Sequence, residues 1–207
     1  MRVTAEAKAE TRQRILETAR QLFAASGYEA STTREIADAV GIAHGTLFNY
    51  FPNKEAVLAT LVADATAGLH IDFDRRSPEE GSFEEELFAF VAAGLRKLKP
   101  WRKQLSVLLE TVLNPLTTAA ADGSESMRLW HLETVARLAK HHGLGDLPPV
   151  SLQLYWTLYI GLLLFWSQDG SPRQEDTLAL LDSSLAMFTG WLQSEKPSPS
   201  PNKKGRV

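Results

Sequence analysis

The chain has 207 residues, of which 44% are hydrophobic and 23% charged, and its formal net charge is -3. This composition is typical of a folded globular protein, and the length suits one domain or a small module joined to a larger one. The absence of cysteine from the sequence excludes disulfides, thiolate metal sites and cysteine nucleophiles. The N-terminus mixes charges and has no apolar stretch, so we expect no secretory signal and a cytoplasmic location.

Apolar residues recur three and four positions apart along the chain, and glycine and proline lie at most boundaries between these segments. The pattern predicts an all-α fold of about nine helices. The first helix is expected at residues 5–26 and ends before Gly27. The second begins where Thr32 and Glu35 have the spacing of a capping box, and it ends near Val40.

The third and fourth predicted helices are separated by a proline. The third spans residues 43–50, because Pro52 prevents its continuation. The fourth follows Asn53, whose side chain is a good N-terminal cap. A short helix between two others is therefore predicted at this point of the chain.

The pattern breaks at residues 74–82, "DRRSPEEGS", which we interpret as a domain boundary. It restarts with a second capping box formed by Ser82 and Glu85. The apolar run at residues 152–166 is shorter than the roughly 20 residues that a membrane span requires, so we interpret it as a buried helix. The proline-rich tail, residues 195–207, is expected to be disordered. Further helices are predicted at residues 101–113, 124–142, 149–168 and 173–193.

The segment "IADAVGIAHGTLF" has the spacing of a helix-turn-helix. The small side chain of Ala37 lets a second helix cross closely, and Gly41 can take the left-handed backbone that a tight turn requires. In such a pair the second helix lies in the major groove of DNA and reads base edges. The residues expected to face the groove are Ala43, His44, Gly45, Thr46, Asn49 and Tyr50.

The chemistry of this surface suits DNA, since His44, Thr46 and Asn49 can hydrogen-bond to base edges or phosphates. Residues 1–56 carry equal numbers of acidic and basic side chains. Affinity would then depend on a few placed cations and backbone dipoles rather than on a basic field. The alternative is an ordinary helix pair whose polar residues face water. The candidate contacts outside the third helix are Arg34 for guanine and Thr33 and Lys54 for phosphate.

The stretch "RILETARQLFAASGYEASTTREIADAVGIAHGTLFNYFPNKEAVL", within residues 11–62, resembles the DNA-binding domain of TetR-type transcriptional regulators. The resemblance implies a homodimeric, repressor-like protein that binds a palindromic operator and releases it when a small-molecule effector binds. It also implies two domains before the proline-rich tail at residues 195–207: a DNA-binding helix-turn-helix domain at residues 1–53, and a ligand-binding and dimerisation domain at residues 54–194.

Carried over position by position, the resemblance implies two sets of DNA contacts. Position 48 is commonly tyrosine in the family and is Phe48 here, so a phosphate contact from that hydroxyl is lost. The ring can still pack against a sugar or a thymine methyl group. The implied phosphate contacts are Thr33, Tyr50 and Lys54. The implied groove-facing residues are Arg34, His44, Gly45, Thr46 and Asn49.

The last two predicted helices carry apolar stripes and are apolar on more than one side. Such stripes commonly face the core of their own chain, but a helix that is apolar all round must be covered all round. A second subunit can provide that cover, and in the family these helices form a four-helix bundle across a two-fold axis. The predicted interface residues are Leu152, Tyr155, Leu163, Trp166, Leu178, Leu181, Leu185 and Phe188.

Polar and aromatic side chains on apolar stretches are candidate ligand contacts, since a buried polar group needs a partner. An intraprotein hydrogen bond or simple exposure is the alternative for each polar group. The effector would be an apolar or aromatic small molecule. The candidate residues are Glu110, Asn114, Trp130, His131, Trp156 and Tyr159.

The sequence contains no P-loop, dinucleotide-binding glycine pattern, HExxH or nucleophile elbow. We therefore expect no enzyme activity, no cofactor and no metal site. The alternatives to a ligand-released repressor are a helical regulator without a ligand, a helical enzyme, and a module that binds a partner protein without DNA.

Overall fold

The computed structural model of the chain describes residues 4–67, 69, 81–105, 109 and 121–194. Within these ranges the protein has eight α-helices and no strand, so the all-α prediction is confirmed. The predicted ligand residues Glu110 and Asn114, part of the helix predicted at 101–113, and the tail at 195–207 lie outside the described residues.

The helices follow the predicted order along the chain. Two short 3-10 helices, Lys99–Gln104 and Pro172–Gln174, lie where two of the longer helices were expected to begin. The α-helices are α1 (Ala5–Ser26), α2 (Thr33–Val40), α3 (His44–Leu47), α4 (Lys54–Ala67), α5 (Phe83–Leu98), α6 (Ala121–His141), α7 (Pro149–Gln168) and α8 (Glu175–Ser194).

Both predicted capping boxes are present. At the start of α2, the Thr32 hydroxyl accepts from the Glu35 amide at 3.2 Å, and the Glu35 carboxylate accepts from the Thr32 amide at 2.8 Å. Ser82 and Glu85 repeat the arrangement at the start of α5, at 3.2 and 2.7 Å. Each box satisfies amides that have no partner within the helix, which is why these sequence signals mark helix starts reliably.

Helix α3 is shorter than predicted, since it spans His44–Leu47 rather than residues 43–50. The amide of Asn49 donates to the carbonyl three residues earlier at 3.1 Å, and the amide of Tyr50 does the same at 2.9 Å. These bonds tighten the chain into turns after one helical turn. The Asn53 side chain then caps α4 as predicted, accepting from a backbone amide at 2.7 Å.

The chain divides into two compact units. The first consists of Met1–Arg75 and Ala93–His131, and the second of Arg76–Ala92 and Leu132–Val207. This division reflects packing, whereas the predicted boundary after residue 53 concerns function and stays a prediction.

The core of the first unit takes apolar side chains from each of its first four helices. Ile15, Ile36, Leu47 and Val57, one from each helix, are all 0% exposed. Fully burying a side chain of this kind stabilises the folded state by roughly 1.5–3 kcal/mol. Because four residues are far too few for an isolated helix, α3 depends on this packing for its existence.

Helix α7 is long and apolar enough to cross a membrane by length and composition, and 44% of its most apolar window is buried inside the protein. Tyr155 and Trp166 on this helix are almost fully buried. The Tyr155 ring packs against Phe188 of α8, with the ring centroids 5.6 Å apart. This burial fits the prediction of a core helix.

The loop between α7 and α8 is held by a carboxylate. Asp169 accepts from the amide of Ser171 at 2.7 Å and from the amide of Thr177 at 3.0 Å. Hydrogen bonds from these two residues hold the pKa of Asp169 well below its usual range. The loop therefore carries a charged cap that fixes where α8 begins.

Candidate nucleic-acid interface

The turn between α2 and α3 is built around Gly41. Its backbone is left-handed, with φ 77° and ψ 36°, a conformation that strains residues with a side chain. The amide of Ile42 donates to the carbonyl of Ala37 at 3.0 Å and closes the end of α2. Leu47, fully buried one turn into α3, anchors that helix against the core. The predicted turn is therefore present, with glycine where the backbone requires it.

Every predicted DNA contact keeps solvent-accessible surface. The sequence therefore separated the buried side of this segment from its accessible side, while contact with DNA itself stays a prediction. The exposed residues are Arg34, Ala43, Gly45, Phe48 and Asn49. The partly exposed residues are Thr33, His44, Thr46, Tyr50 and Lys54.

Two of the predicted contacts are bonded to each other across the turn. Thr33 Oγ1 lies 3.0 Å from His44 Nε2, and this bond joins the first residue of α2 to the first residue of α3. The His44 ring also meets Phe48 edge-on, with centroids 5.0 Å apart and an interplanar angle of 71°. The imidazole is thus held on two sides, beside a Phe48 ring that is 44% exposed.

Lys54 has structural partners that the sequence did not reveal. Its Nζ donates to the carbonyls of Tyr28 at 2.9 Å and Ser31 at 3.0 Å, and lies 4.1 Å from the centroid of the Tyr28 ring. An ammonium group has three N–H donors, so two are used inside the protein. Lys54 ties the start of α4 to the loop before α2, and a phosphate contact would use the third donor.

The same loop is held by the Tyr28 hydroxyl, which donates to Glu55 at 3.1 Å. Burial, reinforced by the nearby Glu55 carboxylate, raises the pKa of Tyr28. The phenol therefore remains neutral and keeps its donor function. Tyr28 and Lys54 together brace the entrance to α2.

Two arginines of α1 also brace the helix-turn-helix. The Arg14 guanidinium donates to the carbonyl of Val40 at 2.5 Å, at the end of α2 where helix carbonyls lack partners and positive charge is favourable. The Arg12 guanidinium lies 5.0 Å from the centroid of the Phe51 ring. No sequence signal could have paired them, since each partner lies far along the chain.

The predicted ligand residues within the described ranges fall in different units. Burial lowers the pKa of His131, in the first unit, to about 3, so its imidazole is neutral at physiological pH. Trp156 and Tyr159, in the second unit, have ring centroids 5.6 Å apart. Trp130 is partly exposed. Across the described part of the chain, no group of three or more potential metal ligands comes together.

A groove of about 460 Å³ lies in the first unit, and the sequence did not predict it. Its apolar surface includes Phe23 of α1, Leu61 of α4 and Trp101 of the 3-10 helix that follows α5. The Arg20–Glu17 ion pair, 2.7 Å long, is also part of the wall. Three segments far apart in the chain form this groove, and the described residues that line it include none of the predicted ligand contacts.

The predicted dimer contacts differ in how much of each side chain is exposed in the single chain, and their contact with a second copy stays a prediction. Tertiary packing directs most of the two apolar stripes into the chain's own interior, so these side chains present little surface to a second copy. The almost fully buried ones are Tyr155, Leu163, Trp166, Leu181, Leu185 and Phe188. Leu152 is partly exposed and Leu178 is exposed. The exposed large apolar residues of α7 and α8 are Val150, Leu154, Leu164, Phe165, Leu178, Leu180 and Met187.

The all-α fold and the α2–α3 turn define a helix-turn-helix DNA-binding protein. The sequence profile described as bacterial regulatory proteins, tetR family, matches residues 15–61, which include α2 and α3. The chain is 34% identical over 108 residues to the HTH-type transcriptional regulator TtgW of Pseudomonas putida. That match covers 52% of this chain and 78% of TtgW. The chain belongs to the TetR family of transcriptional regulators and is not an enzyme.

Two further similarities extend over most of the chain. The transcriptional repressor KstR2 of Rhodococcus jostii is 28% identical over 168 residues, which cover 81% of this chain and 71% of KstR2. The crystal structure of Thermus thermophilus FadR, a TetR-family repressor in complex with lauroyl-CoA, superposes with a TM-score of 0.71 at 25% identity. That superposition covers 94% of this chain and all of FadR, so the fold likeness reaches well beyond the DNA-binding helices.

Proposed function

We propose that the protein is a homodimeric, sequence-specific transcriptional repressor that binds a palindromic operator and releases it when a small-molecule effector binds. The α2–Gly41–α3 turn carries the proposal, because it keeps polar α3 side chains at the surface while Leu47 is fully buried. Such a pair presents its second helix to the major groove. Residues 1–53 form the DNA-binding part, and residues 54–194 bind the effector and the second subunit.

The proposed base contacts lie at the start of α2, in α3 and in the turn that follows α3. The guanidinium of Arg34 suits guanine, which offers two acceptors in the major groove. The side chains of His44 and Asn49 offer donors and acceptors for other base edges. Gly45 leaves room for close approach, Thr46 can hydrogen-bond to a base edge or a phosphate, and Phe48 offers an apolar surface to a thymine methyl.

The proposed phosphate contacts are Thr33, Tyr50 and the remaining N–H donor of Lys54. Because residues 1–56 have no excess of positive charge, each subunit supplies few phosphate contacts. Two subunits double that number and read the same half-site twice. Affinity for DNA therefore depends strongly on the dimer.

The exposed apolar side chains of α7 and α8 support dimerisation. Leu164, Phe165 and Met187 are 50%, 43% and 70% exposed. Large apolar side chains that stay exposed on neighbouring helices favour an interaction surface. A second copy can cover them through a two-fold contact, which places two recognition helices about one turn of DNA apart.

The proposed effector is a fatty acyl thioester. Support comes from the T. thermophilus FadR complex with lauroyl-CoA, whose structure matches 94% of this chain at 25% identity. The Trp156 and Tyr159 rings of the second unit are apolar surfaces suited to an alkyl chain. To release DNA, the effector must bind the DNA-incompetent state more tightly, by a coupling of about 1–3 kcal/mol.

DNA binding is tested by selecting sequences from a random duplex pool and measuring affinity by fluorescence anisotropy. We expect an enriched palindrome, one dimer per site by sedimentation, and affinity that falls with salt. Arg34→Ala should lower affinity for the selected site. Lys140→Ala, which removes an exposed cation on α6, is the matched control and should not. Enrichment of no sequence would refute the proposal.

Effector binding is tested by titrating the protein–operator complex with lauroyl-CoA. We expect release of DNA, while CoA without the acyl chain leaves the complex intact. Calorimetry on the full chain without DNA should show lauroyl-CoA binding directly. Sequence-specific DNA binding that no acyl-CoA alters would favour a regulator that does not respond to acyl thioesters.

A further inference from the structure

The bond between Thr33 and His44 links a proposed phosphate contact to a proposed base contact. Thr33 is the first residue of α2, and its Oγ1 lies 3.0 Å from Nε2 of His44, the first residue of α3. The helix cap is a separate group, since the neighbouring Thr32 accepts from the Glu35 amide. The Thr33 hydroxyl is therefore available for the link between the helices.

The Thr33 hydroxyl has only one proton, so contact with a DNA phosphate determines whether this hydroxyl donates to His44 or accepts from it. A threonine hydroxyl has a single proton to donate and can also accept. A phosphate oxygen can only accept a hydrogen bond. A Thr33 hydroxyl bonded to phosphate therefore donates its one proton to that oxygen. Toward His44 the hydroxyl can then act only as an acceptor, which requires a proton on His44 Nε2.

A proton on Nε2 determines the hydrogen-bonding role of the other ring nitrogen, Nδ1. In the neutral imidazole one nitrogen donates and the other accepts, so Nδ1 becomes an acceptor. Among the described residues, His44 Nδ1 has no hydrogen-bond partner, and it is not buried. The edge-on contact with Phe48 restrains the plane of the ring. The acceptor is thus free to meet DNA from a restrained ring.

We propose that Thr33, when bonded to a DNA phosphate, selects the His44 tautomer and thereby its base preference. With Nδ1 as an acceptor, His44 reads a base donor, which in the major groove is the N6 amino group of adenine or the N4 amino group of cytosine. Thr33 is then a positioning residue for specificity as well as a phosphate contact. The inference rests on the proposed DNA-binding function.

The test compares base preferences at every position of the selected half-site, at pH 8, where a free imidazole is neutral. His44→Ala first identifies the base pair that His44 reads, where the wild type should prefer one pair by roughly tenfold. Each pair carries one amino donor in the major groove, on adenine or on cytosine, so the preferred pair identifies the amino group that His44 reads. Thr33→Val, which keeps the shape and removes the hydroxyl, should flatten the preference at that same position. It should also weaken binding to all sequences by the lost phosphate contact. Thr33→Ser should keep the preference.

Removing the amino group from the base tests directly whether His44 accepts a hydrogen bond from it. If the position is adenine, purine without its 6-amino group should bind the wild type roughly tenfold more weakly, and bind Thr33→Val with little change from adenine. If the position is cytosine, replacing its 4-amino group by hydrogen should have the same effect.

Three results would overturn the inference while leaving the proposed function intact. One is wild-type binding that does not change when the amino group of the adenine or cytosine in the base pair that His44 reads is removed. Another is a Thr33→Val variant, folded by circular dichroism, that binds all sequences more weakly with an unchanged preference. The third is a His44→Ala variant with no altered position. Failure of the wild type to select any sequence would instead reject the proposed function.

Discussion

The pair α2–α3 and the pair α7–α8 differ in how completely their sequences separate buried from accessible residues. In α2 the buried side chains are Ile36, Ala37 and Val40, and the rest of the helix is polar or exposed. In α7 the buried Trp166 directly follows the exposed pair Leu164 and Phe165. When apolar residues lie on one side only, their spacing identifies the core. When apolar residues surround the helix, their spacing cannot show which of them are buried and which are exposed.

The largest expected effect concerns the α2–α3 pair, whose apolar residues lie on one side. Leu47→Ala removes the fully buried anchor of α3 and should lower the free energy of unfolding by about 2–5 kcal/mol, because the packed core closes only partly around the cavity. Urea denaturation measures the change. Phe48→Ala, at the neighbouring exposed position, should cost clearly less, about 1 kcal/mol, since it removes a partly exposed ring and its contact with His44. Equal losses from the two variants would contradict the buried and exposed assignments.

The second effect tests the helices that are apolar on several sides. Met187→Glu places a charge at a side chain that is 70% exposed in the single chain and should weaken the dimer at least tenfold while each subunit stays folded. Sedimentation equilibrium with circular dichroism measures both properties. Leu185→Glu, at a buried position of the same helix, should unfold the second unit instead. An unchanged dimer affinity in Met187→Glu would remove this surface from the proposed interface.

A third, smaller effect isolates the turn of the helix-turn-helix. Gly41→Ala should cost about 1–2 kcal/mol through backbone strain alone, since a Cβ there meets no atom within 4 Å and φ is 77°. Gly45→Ala is the matched control, because its site is equally open and its backbone is ordinary. It should stabilise α3 by up to about 1 kcal/mol. Chemical denaturation measures the free energy of unfolding of both variants. A Gly41→Ala protein as stable as the wild type would contradict the strained turn.

The smallest effect concerns the departure at position 48. Phe48→Tyr restores the hydroxyl that the resemblance leads one to expect, and it should strengthen binding to all DNA sequences by about 1 kcal/mol, roughly fivefold. Anisotropy with the selected operator and a scrambled duplex measures this. Phe48→Leu keeps an apolar side chain without the hydroxyl and should give no such gain. A gain restricted to one sequence would indicate a base contact rather than a phosphate contact.

Signals read within a few residues of each other predicted most of the helix boundaries. Thr32 with Glu35, and Ser82 with Glu85, satisfy their own backbone amides, so no distant partner is needed to recognise them. Gly41 is equally local, because only its own backbone angles demand glycine. The end of α3 was predicted too late, because Pro52 was taken as the stop whereas the chain already turns after Leu47.

The sequence by itself therefore determined the all-α class, the capping boxes, the glycine turn and the accessible side of α3, because each depends on neighbours along the chain. Tertiary structure alone decided that Lys54 donates to the carbonyls of Tyr28 and Ser31, that Arg14 reaches Val40, and which faces of α7 and α8 are buried. Such contacts join residues far apart in sequence. No local pattern encodes them, because the free energy of each depends on the folded positions of both partners.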